Sequence, residues 1–422
     1  MSKLVRALVY MVAIVVIAVV AVPVVWRLST RVDAPGPSPL AISSTAERGA
    51  YLAKVGNCAG CHTARGGLPY AGGVALDTPF GAVYSSNLTP DAATGIGNWT
   101  REDFWRAMHH GTSRDGRLLY PAFPYTSYTL VTRDDADALF AFLTNLPAIN
   151  QVNTAHAVRF PYNLQAALAV WRALYFKPAS FQPDASATFE ANRGAYLVNS
   201  LGHCSACHAA RNALGATNGL NLAGGLIPVQ NWYAPSLVSP QEASVANWRL
   251  DDIKALFRTG RSPQASVNGP MADVVMGSTQ HFNDTDLTAM AVYLKALAPA
   301  AATPSPASRG TSTARGHKLY EQHCAQCHGD EGKGVASAYP ALAGNRAVVM
   351  PQAANLVQMV LNGGYLPATA GNPRPYGMPP FVLVLPDSDV AEVLTHIRSS
   401  WGNNAAGVSA LDVMRIRAHG LQ

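Results

Sequence analysis

Three runs of the form Cys-x-x-Cys-His use every cysteine of this chain: Cys58, Cys61 and His62; Cys204, Cys207 and His208; Cys324, Cys327 and His328. Two thiols at this spacing reach two vinyl groups on one porphyrin edge, and the adjoining imidazole falls under the iron as proximal ligand. One such run would also suit a zinc knuckle or a redox dithiol. Three runs with no thiol left over favour covalent haem c, and a disulfide framework would need the same sulfurs. The expectation is three haem c groups, thioether-linked at the six cysteines and ligated by His62, His208 and His328.

The 422 residues, 49% hydrophobic and 13% charged, leave room for about three domains of ordinary size. The 35 Gly and 29 Pro, spread between short helical patterns, indicate loop-rich domains in which the cofactor supplies much of the core. The formal charge of +6 omits haem propionates, and the basic residues are scattered, so no nucleic-acid partner is expected. Neither a G-x-G-x-x-G turn nor a phosphate-binding loop accompanies the haem motifs.

Ala7 to Trp26 is uncharged and bracketed by Lys3, Arg6, Arg27 and Arg31. At helical rise, that stretch spans roughly 30 Å of hydrocarbon. A signal peptide is the alternative, but its apolar region is ordinarily shorter and Val24-Val25-Trp26-Arg27 is a poor cleavage site. An uncleaved anchor over residues 1–32 is expected. Flanking charge does not orient it. Covalent haem attachment in bacteria occurs outside the inner membrane, which places the haem domains in the periplasm.

A unit repeats behind the Pro, Gly and Ser tether at Asp33 to Pro39. Arg48-Gly49, Arg193-Gly194 and Arg315-Gly316 precede the three haem motifs, each in a short helix of the kind that packs over the haem in a class I cytochrome c, with a glycine that permits close crossing. Asn98-Trp99 and Asn247-Trp248 open acidic helix starts, and apolar helices at Ala136 to Leu146, Asp286 to Leu297 and Asp387 to Ser399 close the units. The fold class expected is mainly α: three tandem class I cytochrome c domains, at 45–148, 186–299 and 308–402, behind the anchor. Residues 149–185 form a linker whose apolar helix, Leu164 to Phe176, packs between domains or touches membrane or quinone. Ala298 to Ser308 is a second linker, and 403–422 a tail.

An electron-transfer haem usually carries a distal Met, whose soft thioether raises the potential. Met378, in Tyr376-Gly377-Met378-Pro379-Pro380, is that ligand in the third unit, ahead of Met350 and Met359. Met271, after Gly269-Pro270, is its counterpart in the second, with Met276 as rival. Met271 lies 23 residues past Trp248, and the matching region past Trp99 reads Pro121-Ala122-Phe123-Pro124. Phenylalanine cannot ligate iron. The first haem is therefore five-coordinate or served from Met108, His109 or His110, whose other reading is core packing and a helix-end dipole contact.

The triple motif, the Asn87-Leu88-Thr89-Pro90 and Trp99 segment, and the run from Asp115-Gly116-Arg117 to Tyr120-Pro121-Ala122 resemble the triheme cytochrome c subunits of membrane-bound periplasmic dehydrogenases. The resemblance implies haem roles for the three motifs, methionine ligation at Met271 and Met378, a large catalytic partner bearing molybdopterin, PQQ or FAD, and ubiquinone as acceptor. Phe123 departs from the family's Pro-Ala-Met-Pro form. Together with His109-His110-Gly111 it is more similar to the cytochrome partners of molybdopterin aldehyde-oxidising enzymes. The expected function is an electron relay, in a respiratory chain, from an alcohol, aldehyde or sugar-acid dehydrogenase to ubiquinone, with the substrate site in the partner. Two rivals stand beside it: a peroxidase-type haem enzyme using the Met-less first site, and a cytochrome attached to a terminal oxidase.

Overall fold

The computed structural model describes residues 42–217, 219–300, 310–336 and 338–419. The expected anchor, and most of the linker before Ser308, lie outside the described residues. No described helix is long and apolar enough to cross a membrane. The chain divides into two compact units, one holding Cys61–Phe181 with the residues up to Ala50, the other holding Tyr51–Gly60 with Gln182 onward.

The first unit begins with α1 (Ile42–Val55), whose residues from Tyr51 belong to the second unit, as do Cys58–Gly60 of the helical turn Cys58–His62 that follows. A hairpin of β1 (Ala75–Thr78) and β2 (Gly81–Tyr84) follows in antiparallel register, Ala75 opposite Tyr84 and Thr78 opposite Gly81. Next comes α2 (Arg101–His110), started by a capping box in which Thr100 and Asp103 satisfy each other's backbone amides and stopped by Gly111 at φ 58°. The closing helix α3 (Arg133–Thr144) starts at Thr132, whose hydroxyl accepts from Asp135 N. Beyond it, β3 (Ala157–Val158) adds to β2. Then α4 (Gln165–Tyr175) buries Leu168 and Arg172 while leaving Leu164, Val170 and Leu174 exposed. The expected linker 149–185 is thus folded back on the first unit through residue 181: Gln165 Oε1 accepts from Leu118 N (2.8 Å) and Asn87 Nδ2 donates to Ile149 O (2.7 Å).

The second unit contains two further copies of the pattern. One runs from α5 (Phe189–Asn199) through the hairpin β4 (Gly225–Ile227) and β5 (Trp232–Ala234), α6 (Leu250–Thr259) and α7 (Pro270–Gly277) to the closing α8 (Asp284–Ala296). The other runs from α9 (Ala314–His323) through α10 (Ala354–Asn362) and the short pair β6 (Gly364–Tyr365) and β7 (Gly377–Met378) to α11 (Asp387–Ser399). The tail expected from residue 403 ends in a helix that packs on the third copy: α12 (Ala410–His419) inserts Val413, fully buried, into the core of Leu319, Tyr320, Val357, Leu361, Val390 and Leu394. Each such side chain contributes about 1.5–3 kcal/mol on leaving water. The segment therefore gains by covering that core with Val413 and Ile416, while Leu411 and Met414 stay exposed.

One crossing recurs in all three copies. A Cβ on Gly49 would lie 2.6 Å from the carbonyl carbon of Ala138 in α3; on Gly194, 2.7 Å from that of Ala289 in α8; on Gly316, 2.6 Å from Glu392 O in α11. Only glycine lets the opening helix lie this close to the closing one. The preceding arginine then reaches the first turn of the closing helix, with Nε to the carboxylate at 2.8 Å for Arg48–Asp135, 2.7 Å for Arg193–Asp286 and 3.0 Å for Arg315–Asp389. Within the second unit Asp286 also accepts from Tyr51 Oη (2.7 Å).

Candidate haem sites

Each Cys-x-x-Cys-His run is one helical turn. His208 N donates to Cys204 O (2.8 Å) and His328 N to Cys324 O (2.9 Å), and Cys58–His62 is continuous helix. Residues three apart in a helix share a face, so both sulfurs of a run present to one side with the imidazole beside them. No disulfide joins any of the six.

The imidazoles are held alike. Nδ1 of His62 meets Ser86 O at 2.7 Å, Nδ1 of His208 meets Pro235 O at 2.7 Å, and Nδ1 of His328 meets Pro340 O at 3.0 Å. A carbonyl only accepts, so Nδ1 carries the hydrogen and Nε2 is left with its lone pair. That is the tautomer an Nε2 metal ligand needs, with the second-shell acceptor such ligands usually have. Burial pushes all three histidines below their ordinary pKa, against the raising effect of those backbone bonds, which keeps them neutral.

A glycine fixes each histidine from behind. The carbonyls of His62, His208 and His328 accept at 2.8 Å from the amides of Gly72, Gly224 and Gly334. These glycines have φ of 78°, 82° and 65°, and a Cβ there would strike the acceptor strand: 2.5 Å from Ser86 C, 2.7 Å from Ser236 N and 2.7 Å from Pro340 C respectively. Neither the glycines nor the carbonyls Ser86, Pro235 and Pro340 were legible as site residues. The Gly72-Gly73 and Gly224-Gly225 pairs were the available signal.

The first thiols of the second and third runs are shielded from water. Burial, then the neighbouring Cys207, pushes Cys204 up to about 12, and burial, then Cys327, does the same for Cys324. Paired sulfurs on one helical face beside an imidazole with a free Nε2 fit covalent haem c.

Of the expected sulfur ligands, Met378 lies in β7, opposite Gly364, and packs half-buried against the same core as Cys324. Gly363 permits this: its Cβ would lie 2.9 Å from Pro380 N and 3.0 Å from Pro379 C. Met271 packs half-buried with Leu256 against Val267, Ala272 and Val275, whereas the rival Met276 is 43% exposed. Gly269, at φ 50°, abuts the Trp232 ring just before Met271.

In the first unit Phe123 packs edge-on to Tyr128, ring centroids 5.2 Å apart. Met108, His109 and His110 are all buried at the end of α2. His109 stacks on Trp105 (4.4 Å) and bonds the Thr129 backbone, and its Nδ1 is buried without a hydrogen-bond partner. Burial, then the neighbouring His110, pushes His109 down to about 4.

The family model described as cytochrome c matches residues 46–147 and 313–401. The chain is 39% identical over 403 residues to the cytochrome c subunit of a quinone alcohol dehydrogenase of Gluconacetobacter polyoxogenes, covering 91% of this chain and 86% of that protein. It is 37% identical over 392 residues to the cytochrome c subunit of a gluconate 2-dehydrogenase of Pantoea cypripedii, covering 88% and 89%. It is also 40% identical over 362 residues to a nicotinate dehydrogenase subunit of Pseudomonas putida, covering 83% of this chain and 30% of that longer one.

Proposed function

The chain belongs to the cytochrome c family, among the cytochrome c subunits of dehydrogenase complexes, and from that premise we propose that it is a three-haem electron relay of a membrane-bound dehydrogenase. It takes electrons from a larger catalytic subunit that oxidises an alcohol, aldehyde or sugar acid and delivers them to ubiquinone. Haem c, when bound, supplies reversible one-electron chemistry at iron.

The observation that carries the reading is the threefold clamp on His62, His208 and His328, each bound at Nδ1 by a backbone carbonyl and at its own carbonyl by a glycine amide. The cysteine pairs would anchor the macrocycle edge, the three imidazoles would ligate through Nε2, and Met271 and Met378 would offer thioether sulfur. At the first site, where Phe123 stands in place of a methionine, an open sixth position is proposed, with Met108 as the sulfur donor set against it. Ala7 to Trp26 anchors the chain in the inner membrane, with the haem domains on the periplasmic side. The His109-His110-Gly111 and Phe123 forms favour a molybdopterin partner over PQQ or FAD.

Pyridine haemochrome titration of the purified polypeptide is expected to give three equivalents, and fewer refutes the relay. Mild detergent extraction with mass spectrometry is expected to recover a stoichiometric larger protein that carries molybdopterin, PQQ or FAD. Recovery with a terminal oxidase instead refutes the dehydrogenase assignment.

A further inference from the structure

Within the second unit, Asn355 of α10 is buried and uses its whole amide on one residue of the preceding domain. Its Nδ2 donates to Tyr233 O at 2.7 Å and its Oδ1 accepts from Tyr233 N at 2.8 Å. Tyr233 is the middle residue of β5, which pairs on its other side with β4, so the amide stands where a further strand would. Two residues on is Pro235, whose carbonyl accepts from His208 Nδ1.

The same loop is held from its other flank. Glu242 Oε2 accepts from Ser236 N at 2.6 Å and from Tyr233 Oη at 3.0 Å, and the Glu242 carbonyl accepts from Arg346 Nη1 at 2.9 Å. Asn355 and Arg346 both come from the third cytochrome domain. The carbonyl that orients the second proximal histidine is therefore gripped on both sides by its neighbour.

We propose that Asn355 is a positioning residue for the second haem: through Tyr233 and the Pro235 carbonyl, the third domain sets the orientation and basicity of the His208 imidazole, and so the potential of a haem it does not carry. This rests on haem attachment at Cys204 and Cys207. A hydrogen-bonded Nδ1–H makes imidazole a stronger donor to metal, and loosening the acceptor weakens that donation. A weaker axial donor favours ferrous iron and raises the potential.

The test is a redox titration of the full-length haem-loaded protein carrying Asn355→Leu, with electron paramagnetic resonance of its ferric low-spin signals. One midpoint is expected to move to more positive potential, and one low-spin signal to shift its g values. That midpoint should differ from the one Met378→His displaces, and haemochrome should remain at the wild-type value. Gln280→Ala, which removes another bond between these domains (Nε2 to Ala368 O, 3.1 Å), should move none. Three unchanged midpoints overturn the proposal, and so does a shift that Gln280→Ala reproduces, because Asn355 would then only dock the domains. Should Asn355→Leu fail to fold, Glu242→Gln weakens the other flank and should move the same midpoint by less; no movement there is equally fatal. Fewer than three haems in the wild type would instead defeat the relay reading.

Discussion

Gly194→Ala tests the helix crossing on which the second haem domain is built. In an ordinary helix the exchange would stabilise by about 1 kcal/mol through backbone entropy. Here the new Cβ would lie 2.6 Å from Tyr293 Cβ and 2.7 Å from the Ala289 carbonyl carbon. Relaxed carbon contacts need about 3.5 Å, so α5 and α8 must part by roughly 1 Å. The obstacle is backbone and cannot rotate away, which puts the overpacking cost near the upper end of the usual range, about 3 kcal/mol. Net destabilisation is then about 2 kcal/mol, or roughly 8 °C in the melting of a domain of this size. The parting also strains the Arg193–Asp286 pair beside it. Calorimetry of the haem-loaded chain should show one transition moved down. Gly371→Ala, where a Cβ meets nothing within 4 Å, is the matched control. An unchanged or raised melting temperature for Gly194→Ala would refute the close crossing.

Met378→Leu should lower one midpoint potential and abolish one sulfur-to-iron charge-transfer band while leaving three haems attached; unchanged potentials would remove Met378 as a ligand. Gly224→Ala should deplete the second haem selectively, because the Cβ drives the loop into Ser236 and withdraws the amide that holds the His208 carbonyl; full haem content in the variant would contradict that. Asp103 is opposed by burial, but its bonds from Thr100 and Arg106 hold its carboxyl below the ordinary value. The stability it adds is therefore complete above the unfolded carboxylate pKa and lost as pH falls through the lower folded one. Asp103→Asn should flatten that acid limb of the melting curve, and an unaltered limb would count against the capping box.

The haem motifs were legible because attachment chemistry fixes their spacing within five residues. Their supports were not. The carbonyl acceptors lie 24, 27 and 12 residues from His62, His208 and His328, so no fixed interval marks them. The arginine in each opening helix is visible as a repeat, but its carboxylate partner is 87, 93 or 74 residues away. The closing helices were placed by apolar period, which starts the first at Ala136. The structure starts it at Arg133, because Thr132 caps it. α12 puts Val413 and Ile416 against the core while Leu411 and Met414 stay exposed, so no single apolar face marks it in the sequence.

The first site departs from the other two in a way the helix register explains. Gly111, Gly260 and Gly363 end α2, α6 and α10 in left-handed backbone, which aligns the three helices. Four residues before these glycines stand Ala107, Leu256 and Met359. Leu256 packs with Met271, and Met359 lies against Gly364, the strand partner of Met378. In the first unit the matching helix position is a small Ala107 and the matching loop position a large Phe123, so the pair conserves side-chain volume while the sulfur is absent. Met108 falls one position later, in register with Phe257 and with Val360, a core residue. Register thus favours an open sixth position over ligation by Met108. Carbon monoxide should bind one reduced haem in three rapidly, Met108→Leu should leave that fraction unchanged, and Phe123→Met should close the site. Three haems that all resist carbon monoxide in the wild type, with one opened by Met108→Leu, would instead establish Met108 as the ligand.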